Sequence, residues 1–184
     1  MAFLICIEIM QNTQREGDIM VYFIADTHFS EENIILYENR PFKTVQEMDR
    51  EIVMRWNNTV KYNDIVYVLG DFGATGNEKA VLSHLNGDKF LIKGNHDINS
   101  NIYYMEAGFK EVSGLPVILD SFWILSHEPL YVNKNMPYAN IFGHVHNSPV
   151  FKTYSSQHYC VSVERTDYTP LAFEEIISRV KGNL

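Results

Sequence analysis

The sequence has few cysteines and no long apolar run, and both absences restrict the kind of protein that it encodes. Its 184 residues include two cysteines, Cys6 and Cys160, too few for a disulfide framework, so a reducing cytosol is the expected compartment. No apolar run approaches the roughly 18 residues of a membrane-spanning helix. The apolar run Ala2–Ile7 lacks the preceding basic residues of a signal peptide. We therefore expect a cytoplasmic protein that does not associate with membranes.

Basic residues are scarce as well. Lys and Arg total 15 against 23 Asp and Glu, which gives a formal net charge of −8 and a pI of about 5.3. An acidic chain without a Lys/Arg cluster repels polyanions, which argues against tight binding of duplex nucleic acid. A phosphate-bearing substrate must then be attracted locally, and bound cations are the simplest means.

The remaining composition is that of an ordinary globular chain, with 46% hydrophobic and 21% charged residues. The length fits one domain with a sizeable core. We expect that domain over residues 20–184, because Gln11–Asp18 is polar and a strong strand pattern opens at Met20. Residues 1–19 are then an amino-terminal extension, with Met20 as the natural start. The alternative is that residues 3–9 add an edge strand.

Apolar patterns predict strands and helices in alternation. Strands are predicted over 20–25, 64–69, 89–93, 117–119, 122–125, 138–142, 150–153 and 159–163. Helices are predicted over 30–37, 77–85 and 99–107, and a longer one begins at a capping box, Thr44–Glu47. The longer helix places on one face the apolar residues Val45, Met48, Ile52, Trp56 and Val60. A last helix is predicted after the cap Thr169, with Pro170 at its first position.

Side chains that bind metals or move protons follow directly after five of these strands. The segments are Asp26-Thr27-His28, Gly70-Asp71, Gly94-Asn95-His96-Asp97, His127 and Gly143-His144-Val145-His146. Taken singly, Asp26 and Asp71 are better explained as residues that cap a turn or a helix. Five of the seven histidines nevertheless lie in these segments, and scattered structural histidines do not explain that concentration. The pattern indicates a metal site held on rigid strand ends.

The order and identity of these segments resemble the calcineurin-like metallophosphoesterase superfamily, from Met20 to about residue 181. Asp26–Phe29, Asn33–Ile35 and Arg40–Phe42 are similar to segments of its small bacterial and phage members. The resemblance implies an α/β (α+β) fold, a four-layer αββα sandwich. Two mixed β-sheets would be flanked by helices, with the metal site at the carboxyl ends of the strands.

The resemblance also implies a site for two metal ions that share one carboxylate, Asp71. One ion would be held by Asp26, His28, Asp71 and His146, and the other by Asp71, Asn95, His127 and His144. Oxygen and imidazole ligands without thiolate suit borderline divalent metals. We expect two divalent ions, manganese first, with Fe, Zn, Co or Ni as alternatives.

A two-metal site of this kind predicts a phosphoesterase. A hydroxide that bridges the ions would attack phosphorus in line, and His96 would be the general acid that protonates the leaving oxygen. Asp97 would either orient His96 or only stabilise the turn. Asn95, Asn33 and Arg40 are candidates for contacting the substrate phosphate, since an arginine can bind phosphate through two nitrogens. The alternatives are a helix surface position for Asn33 and a loop ion pair for Arg40.

Two features narrow the substrate class. Protein serine/threonine phosphatases of the superfamily carry an Arg shortly after the second motif, whereas here Asp71 is followed by Phe72–Gly76. The chain also has no room for the added domains of the large nuclease members. We expect a small phosphoester or nucleotide-type substrate, a diester before a monoester. A nuclease for short or single-stranded nucleic acid is the alternative. A non-catalytic scaffold is disfavoured because every ligand and the acid histidine are present. The oligomeric state stays open.

Overall fold

The structure is a computed structural model that describes residues 19–151 and 155–181. Within those ranges the strands are β1 (Val21–Ile24), β2 (Ile65–Val68), β3 (Asp88–Ile92), β4 (Glu111–Ser113), β5 (Val117–Leu119), β6 (Trp123–Leu125), β7 (Ala139–Phe142), β8 (His158–Cys160) and β9 (Leu171–Ala172). The helices are α1 (Asn33–Tyr37), α2 (Val45–Thr59), α3 (Glu78–Leu82), α4 (Asn101–Ala107) and α5 (Phe173–Lys181). No helix of these ranges is long and apolar enough to cross a membrane.

The strands form two mixed sheets, as expected. In the first sheet the order is β4-β3-β2-β1-β9, with β1 to β4 parallel and β9 antiparallel to β1. In the second sheet the order is β5-β6-β7-β8, with β5 antiparallel to β6 and the other pairs parallel. Because parallel strands end at the same edge of a sheet, the loops that follow β1, β2, β3, β6 and β7 gather at one end of the molecule.

Successive side chains of the first sheet's strands point to opposite faces, so the apolar core has two layers. On β1, Val21 and Phe23 pack in a cluster with Trp123 and Ile141 of the second sheet, so this layer lies between the sheets. The intervening residues, such as Ile24, join the cluster on the outer face of the first sheet. Successive side chains of a strand point to opposite faces, so a strand buried on both faces reads as an unbroken apolar run.

The long helix α2 packs on the outer face of the first sheet as its sequence pattern predicted. Met48, Ile52 and Trp56 are fully buried there. The side chain of Thr44 accepts a hydrogen bond from the Glu47 N–H (3.1 Å), which is the expected cap. The Glu47 carboxylate accepts from the backbone N–H of residue 43 (2.9 Å), one residue earlier than in a standard capping box.

The carboxyl-terminal part differs from the prediction in three places. Residues 150 and 151, expected to begin a strand over 150–153, lie in a 3-10 turn, Pro149–Phe151. The strand expected over 159–163 is β8, His158–Cys160, and a second 3-10 turn, Val163–Arg165, follows it. The last helix begins at Phe173 rather than directly after Thr169, because Leu171 pairs with Phe23 and adds β9 to the free edge of the first sheet. The ladder hydrogen bonds of that edge outweigh the local preference for a helix. The predictions for residues 1–18 and 152–154 lie outside the described residues.

Candidate metal centre

The loops that follow the strands bring the predicted site residues to one place. Asp26 and His28 follow β1, Asp71 follows β2, and Asn95 follows β3, all in the first sheet. The second sheet contributes His127 after β6, and His144 and His146 after β7. The site therefore lies where the carboxyl ends of the two sheets meet.

Their ligand atoms form two compact groups. One group contains Asp26, His28 and His146, and the other contains Asp71, His127 and His144; within each group one ligand atom per residue lies within 4.8 Å of the others. Asp71 stands between the two groups, since its Oδ2 is 3.6 Å from His28 Nε2 and 3.3 Å from His127 Nε2. Asn95 Oδ1 lies 3.0 Å from the same His127 Nε2. This arrangement can hold two cations with one shared carboxylate.

One buried nitrogen tests whether the first group fits a metal ion. His28 is buried, and its Nδ1 donates to Glu31 Oε2 (3.1 Å), yet its Nε2 has no hydrogen-bond partner among the described residues. Leaving a buried polar atom unpaired costs about 1–3 kcal/mol, and folded proteins rarely do so. A coordinated cation would satisfy this nitrogen, so the donor set fits a metal.

In His146 and His127, the ring nitrogen that faces away from the candidate ion is hydrogen-bonded in the way that metal-ligating histidines require. His146 Nδ1 donates to Glu164 Oε1 (3.0 Å), and His127 Nδ1 donates to the carbonyl of Leu69 (2.8 Å). Such bonds set the tautomer and direct the other nitrogen at the ion. Glu31 and Glu164 were missed in the sequence. The position of Glu31, three residues after His28, was a weak sequence indication that it could bind the His28 ring. The sequence gives no such indication for Glu164, because its partner His146 lies 18 residues away.

The backbone is strained at most of the site residues. Positive φ angles occur at Asp26 (59°), His28 (48°), Asp71 (53°), His144 (67°) and His146 (44°). Only a few per cent of non-glycine residues adopt this left-handed conformation. It costs on the order of 1–3 kcal/mol at each position and is typical of functional sites. In both the Asp-x-His and the His-x-His segment, the two outer residues have a positive φ and the middle residue does not. The sequence did not predict this pattern.

Two glycines of the motifs are required by the close approach of neighbouring loops. A Cβ on Gly94 would lie 2.2 Å from Asp71 Oδ1. A Cβ on Gly143 would lie 2.4 Å from the Cβ of Ala25 and 2.7 Å from Asp26 Oδ2. Their absent side chains let the loops of different strands come into contact at the ligands.

Burial and charge act in opposite directions on the site residues. Burial raises the pKa of the Asp26 carboxyl, and the neighbouring His146 and His127 offset only part of that effect. Burial also acts to raise the pKa of Asp71, but the hydrogen bond and charge of His127 outweigh it and lower that pKa to about 2. For His127, burial lowers the pKa, while Asp71 and Asp26 raise it to about 9. A bound cation would replace that proton, because a ligating imidazole is neutral.

The structure corrects the prediction for Arg40. Its side chain is buried and forms an ion pair with Glu164 (2.7 Å). Its guanidinium also donates to the carbonyls of Asp26 (2.6 Å) and Thr27 (2.9 Å). These bonds turn the charged group toward the protein, so the ion-pair alternative holds and Arg40 is not placed to contact a substrate phosphate. It supports the backbone of the first motif instead.

Asp97 lies close to His96 in sequence but is not placed to orient its ring. The buried Asp97 carboxylate accepts hydrogen bonds from the N–H groups of Gly94 (2.8 Å), Asp71 (2.8 Å) and Phe72 (3.1 Å). It therefore ties the loop after β3 to the loop after β2. The ring of His96, half exposed, has Glu31 Oε2 at 3.6 Å from its Nδ1. The turn-stabilising alternative describes Asp97, and Glu31 is the carboxylate near His96.

Asn33 lies at the first residue of α1 with its side chain exposed. Among the residues that the structure describes, it makes no side-chain hydrogen bond with the two ligand groups. Its predicted contact with a substrate phosphate stays a prediction.

Comparison with known proteins assigns this site to a family. A profile of the calcineurin-like phosphoesterases matches residues 19–168. The chain belongs to this family. It is 32% identical over 173 residues to the uncharacterized protein MJ1445 of Methanocaldococcus jannaschii, covering 88% of this chain and 91% of that protein. It is also similar to the crystal structure of a protein of unknown function, AQ665 from Aquifex aeolicus. That similarity has a TM-score of 0.68 and 27% identity, and it covers 86% of this chain and 98% of that one.

Family membership and the two ligand groups together support a metal-dependent phosphoesterase. In this calcineurin-like phosphoesterase, the candidate ligand side chains come from both sheets, and strained backbone, loop contacts and buried carboxylates position them. The structure thus explains why the motifs are spread over 120 residues of sequence, from Asp26 to His146.

The substitution Gly143→Ala should weaken metal binding by about tenfold or more, because the new methyl group would displace Asp26 or Ala25. The measurement is a calorimetric titration with Mn²⁺ after the metal has been stripped. Gly114→Ala is the matched control, since no atom lies within 4 Å of a Cβ at that position. Equal affinity in both variants would contradict the packing argument.

The substitution Arg40→Met should lower the free energy of unfolding by about 3–5 kcal/mol, because it leaves the buried Glu164 carboxylate without its ion-pair partner. Urea denaturation measures the change. The control is Arg55→Met, which removes ion pairs with Glu51 and Asp167 near the surface and should cost no more than about 1 kcal/mol. A small loss for Arg40→Met would show that the buried pair does not support the site.

Proposed function

We propose that this protein hydrolyses phosphodiesters with the help of two divalent ions held at the paired ligand groups. The observation that supports this function best is the position of Asp71, whose Oδ2 lies within 3.6 Å of both His28 Nε2 and His127 Nε2. A carboxylate that two ligand groups share is what a two-metal hydrolase needs to keep its ions close together.

The residues would divide between the ions as the two groups suggest. Asp26, His28 and His146 would hold one ion, His127, His144 and Asn95 the other, and Asp71 would contact both. Two such ions, when bound, supply Lewis-acid activation of water and offset the charge of the phosphate. Manganese is our first expectation and Fe, Zn, Co or Ni are alternatives, since the donors are oxygen and imidazole nitrogen.

His96 is the candidate general acid. Its backbone N–H donates to Asp71 Oδ1 (2.8 Å), and its ring lies edge-on to His28 with centroids 4.9 Å apart. The side chain is half exposed and free to meet a substrate. In hydrolysis a water molecule loses a proton to the solvent and its oxygen bonds to phosphorus, the bond from phosphorus to the leaving oxygen breaks, and His96 gives that oxygen a proton. Glu31, near both His28 and His96, would orient the ring.

The charges around the site favour a diester over a monoester. A monoester dianion brings one more negative charge than a diester, and Arg40, the basic residue nearest the first motif in sequence among the described residues, is paired with Glu164 instead of facing the site. Asn95 and Asn33 are then the neutral side chains proposed to contact the phosphate oxygens. The natural substrate would be a small phosphodiester of nucleotide type.

Hydrolysis of bis-p-nitrophenyl phosphate should depend on added metal, with Mn²⁺ restoring activity to stripped protein. Asp71→Asn should reduce the rate by at least about 10²-fold, because it removes the charge that both ligand groups share. Asp88→Asn, which affects only a surface ion pair with Lys110, should retain full activity. The ratio to p-nitrophenyl phosphate separates diesterase from monoesterase. No release with Mn, Fe, Zn, Co or Ni would contradict the proposed reaction.

His96→Ala should lower kcat by about 10²-fold or more while metal content stays at the wild-type level, because a general acid acts on the leaving oxygen and not on the ions. The measurements are metal analysis and steady-state kinetics on the same preparation, with a dialkyl phosphodiester whose leaving alkoxide needs a proton. His84→Ala, which changes an exposed histidine in the turn after α3, should change neither. Parallel loss of metal and activity in His96→Ala would instead identify His96 as a ligand.

A further inference from the structure

A cleft of about 600 Å³ opens beside His144 and His146. Its volume lies within the range of small-molecule sites. Besides the two histidines, its walls include aromatic, amide, hydroxyl and carboxylate side chains from Tyr37, Glu38, Asn39, Asn147, Ser148 and Phe151. The ion site forms one end of this space, so a substrate whose phosphate rests at the ions can extend into it.

His28 contacts both a wall of the cleft, through His146, and the candidate general acid, His96. The ring of His28 stacks on His146, with centroids 5.3 Å apart, and meets His96 edge-on at 4.9 Å. Within the described residues the cleft is lined by His146 and not by His96. A diester has two organic groups, and the one that leaves must lie at His96. The group that stays on phosphorus is therefore the one directed to the cleft.

The wall of the cleft is held in place from outside. Arg165 donates hydrogen bonds to the carbonyl oxygens of His146 (2.5 Å), Ser148 (3.0 Å) and Phe151 (3.4 Å). One guanidinium thus fixes the course of residues 146–151 behind the cleft. A wall held this way is formed before a ligand binds, as is usual for small-molecule sites.

The side chains that line the cleft favour a ligand that is an uncharged ring with polar groups at its edges. The side chain of Tyr37 is 78% exposed at the cleft and offers a flat aromatic face for stacking. The amides of Asn39 and Asn147 can donate and accept hydrogen bonds, and Glu38 accepts them. In the part of the lining that the structure describes there is no Lys or Arg. Glu38 would repel a second phosphate.

We propose that this cleft binds the ester group that stays on phosphorus, and that this group is a nucleoside or a ring system of the same chemistry. The inference rests on the proposed diesterase function and names its substrate class. It predicts a preference among diesters that share a leaving group and differ only in the retained group.

The test compares two substrates of the Mn²⁺-loaded protein, thymidine 5′-p-nitrophenyl phosphate and methyl p-nitrophenyl phosphate. Both release p-nitrophenolate, so they differ only in the group that the cleft would hold. We expect kcat/KM to be about tenfold or more higher for the thymidine ester, because stacking of a base on an aromatic side chain contributes an effect of that order. Tyr37→Ala should bring the ratio of the two values close to one. Tyr62→Ala, an equally exposed tyrosine outside the cleft, should retain the wild-type ratio.

A binding experiment without phosphate separates this inference from the proposed function. Saturation-transfer NMR with thymidine alone should show contact of the base with the wild-type protein and with Tyr62→Ala, and loss of that contact in Tyr37→Ala. Contact with thymidine but no hydrolysis of either ester would support the cleft and contradict the diesterase. Hydrolysis of both esters at equal kcat/KM, or a preference that Tyr37→Ala leaves intact, would overturn the cleft assignment.

Discussion

The buried carboxylate of Asp26 joins the two sheets at the end where all the ligands gather. Both of its oxygens accept the backbone N–H of His144 (2.9 Å), across the boundary between the sheets. Its own N–H donates to the carbonyl of Gly70 in the neighbouring loop (3.0 Å). Through its side chain and its backbone, this one residue thereby links the loops after β1, β2 and β7. A shift of Asp26 would move ligands of both groups, so the geometry of the whole site depends on it.

A second buried carboxylate performs the corresponding task within the first sheet. Asp97 binds backbone N–H groups of the loops after β2 and β3 and so sets the distance between Asp71 and the segment that carries Asn95 and His96. The buried Arg40 acts from the other side, through the carbonyls of Asp26 and Thr27. In these loops the cationic Arg40 therefore binds backbone carbonyl oxygens, and the anionic Asp97 binds backbone N–H groups. Such bonds hold the strained backbone that points the ligands inward.

The parts predicted well from sequence are those that depend on local pattern. Strands β1 and β2 were predictable because burial on both faces makes them continuous apolar runs, and the polar ligands directly after them mark their ends. The role of Arg40 was not predictable, because its partner Glu164 lies 124 residues away. Strand β9 was missed for a similar reason, since two residues carry little pattern and its formation depends on the free edge of β1. The left-handed backbone at the candidate ligands was not predicted, because Asp and His adopt this conformation at some positions and not at others, and Asp120 and Asp167 adopt it away from the site.

The contacts of Arg165 affect how this protein can change over evolution. They reach only carbonyl oxygens, which every amino acid possesses, so substitutions at Asn147, Ser148 or Phe151 leave the three hydrogen bonds available. The first of these carbonyls belongs to His146, a member of the first ligand group. New side chains can therefore reshape the cleft without displacing the backbone that carries the candidate ligand His146. A lineage carrying this arrangement can acquire a different substrate while it keeps the same chemistry.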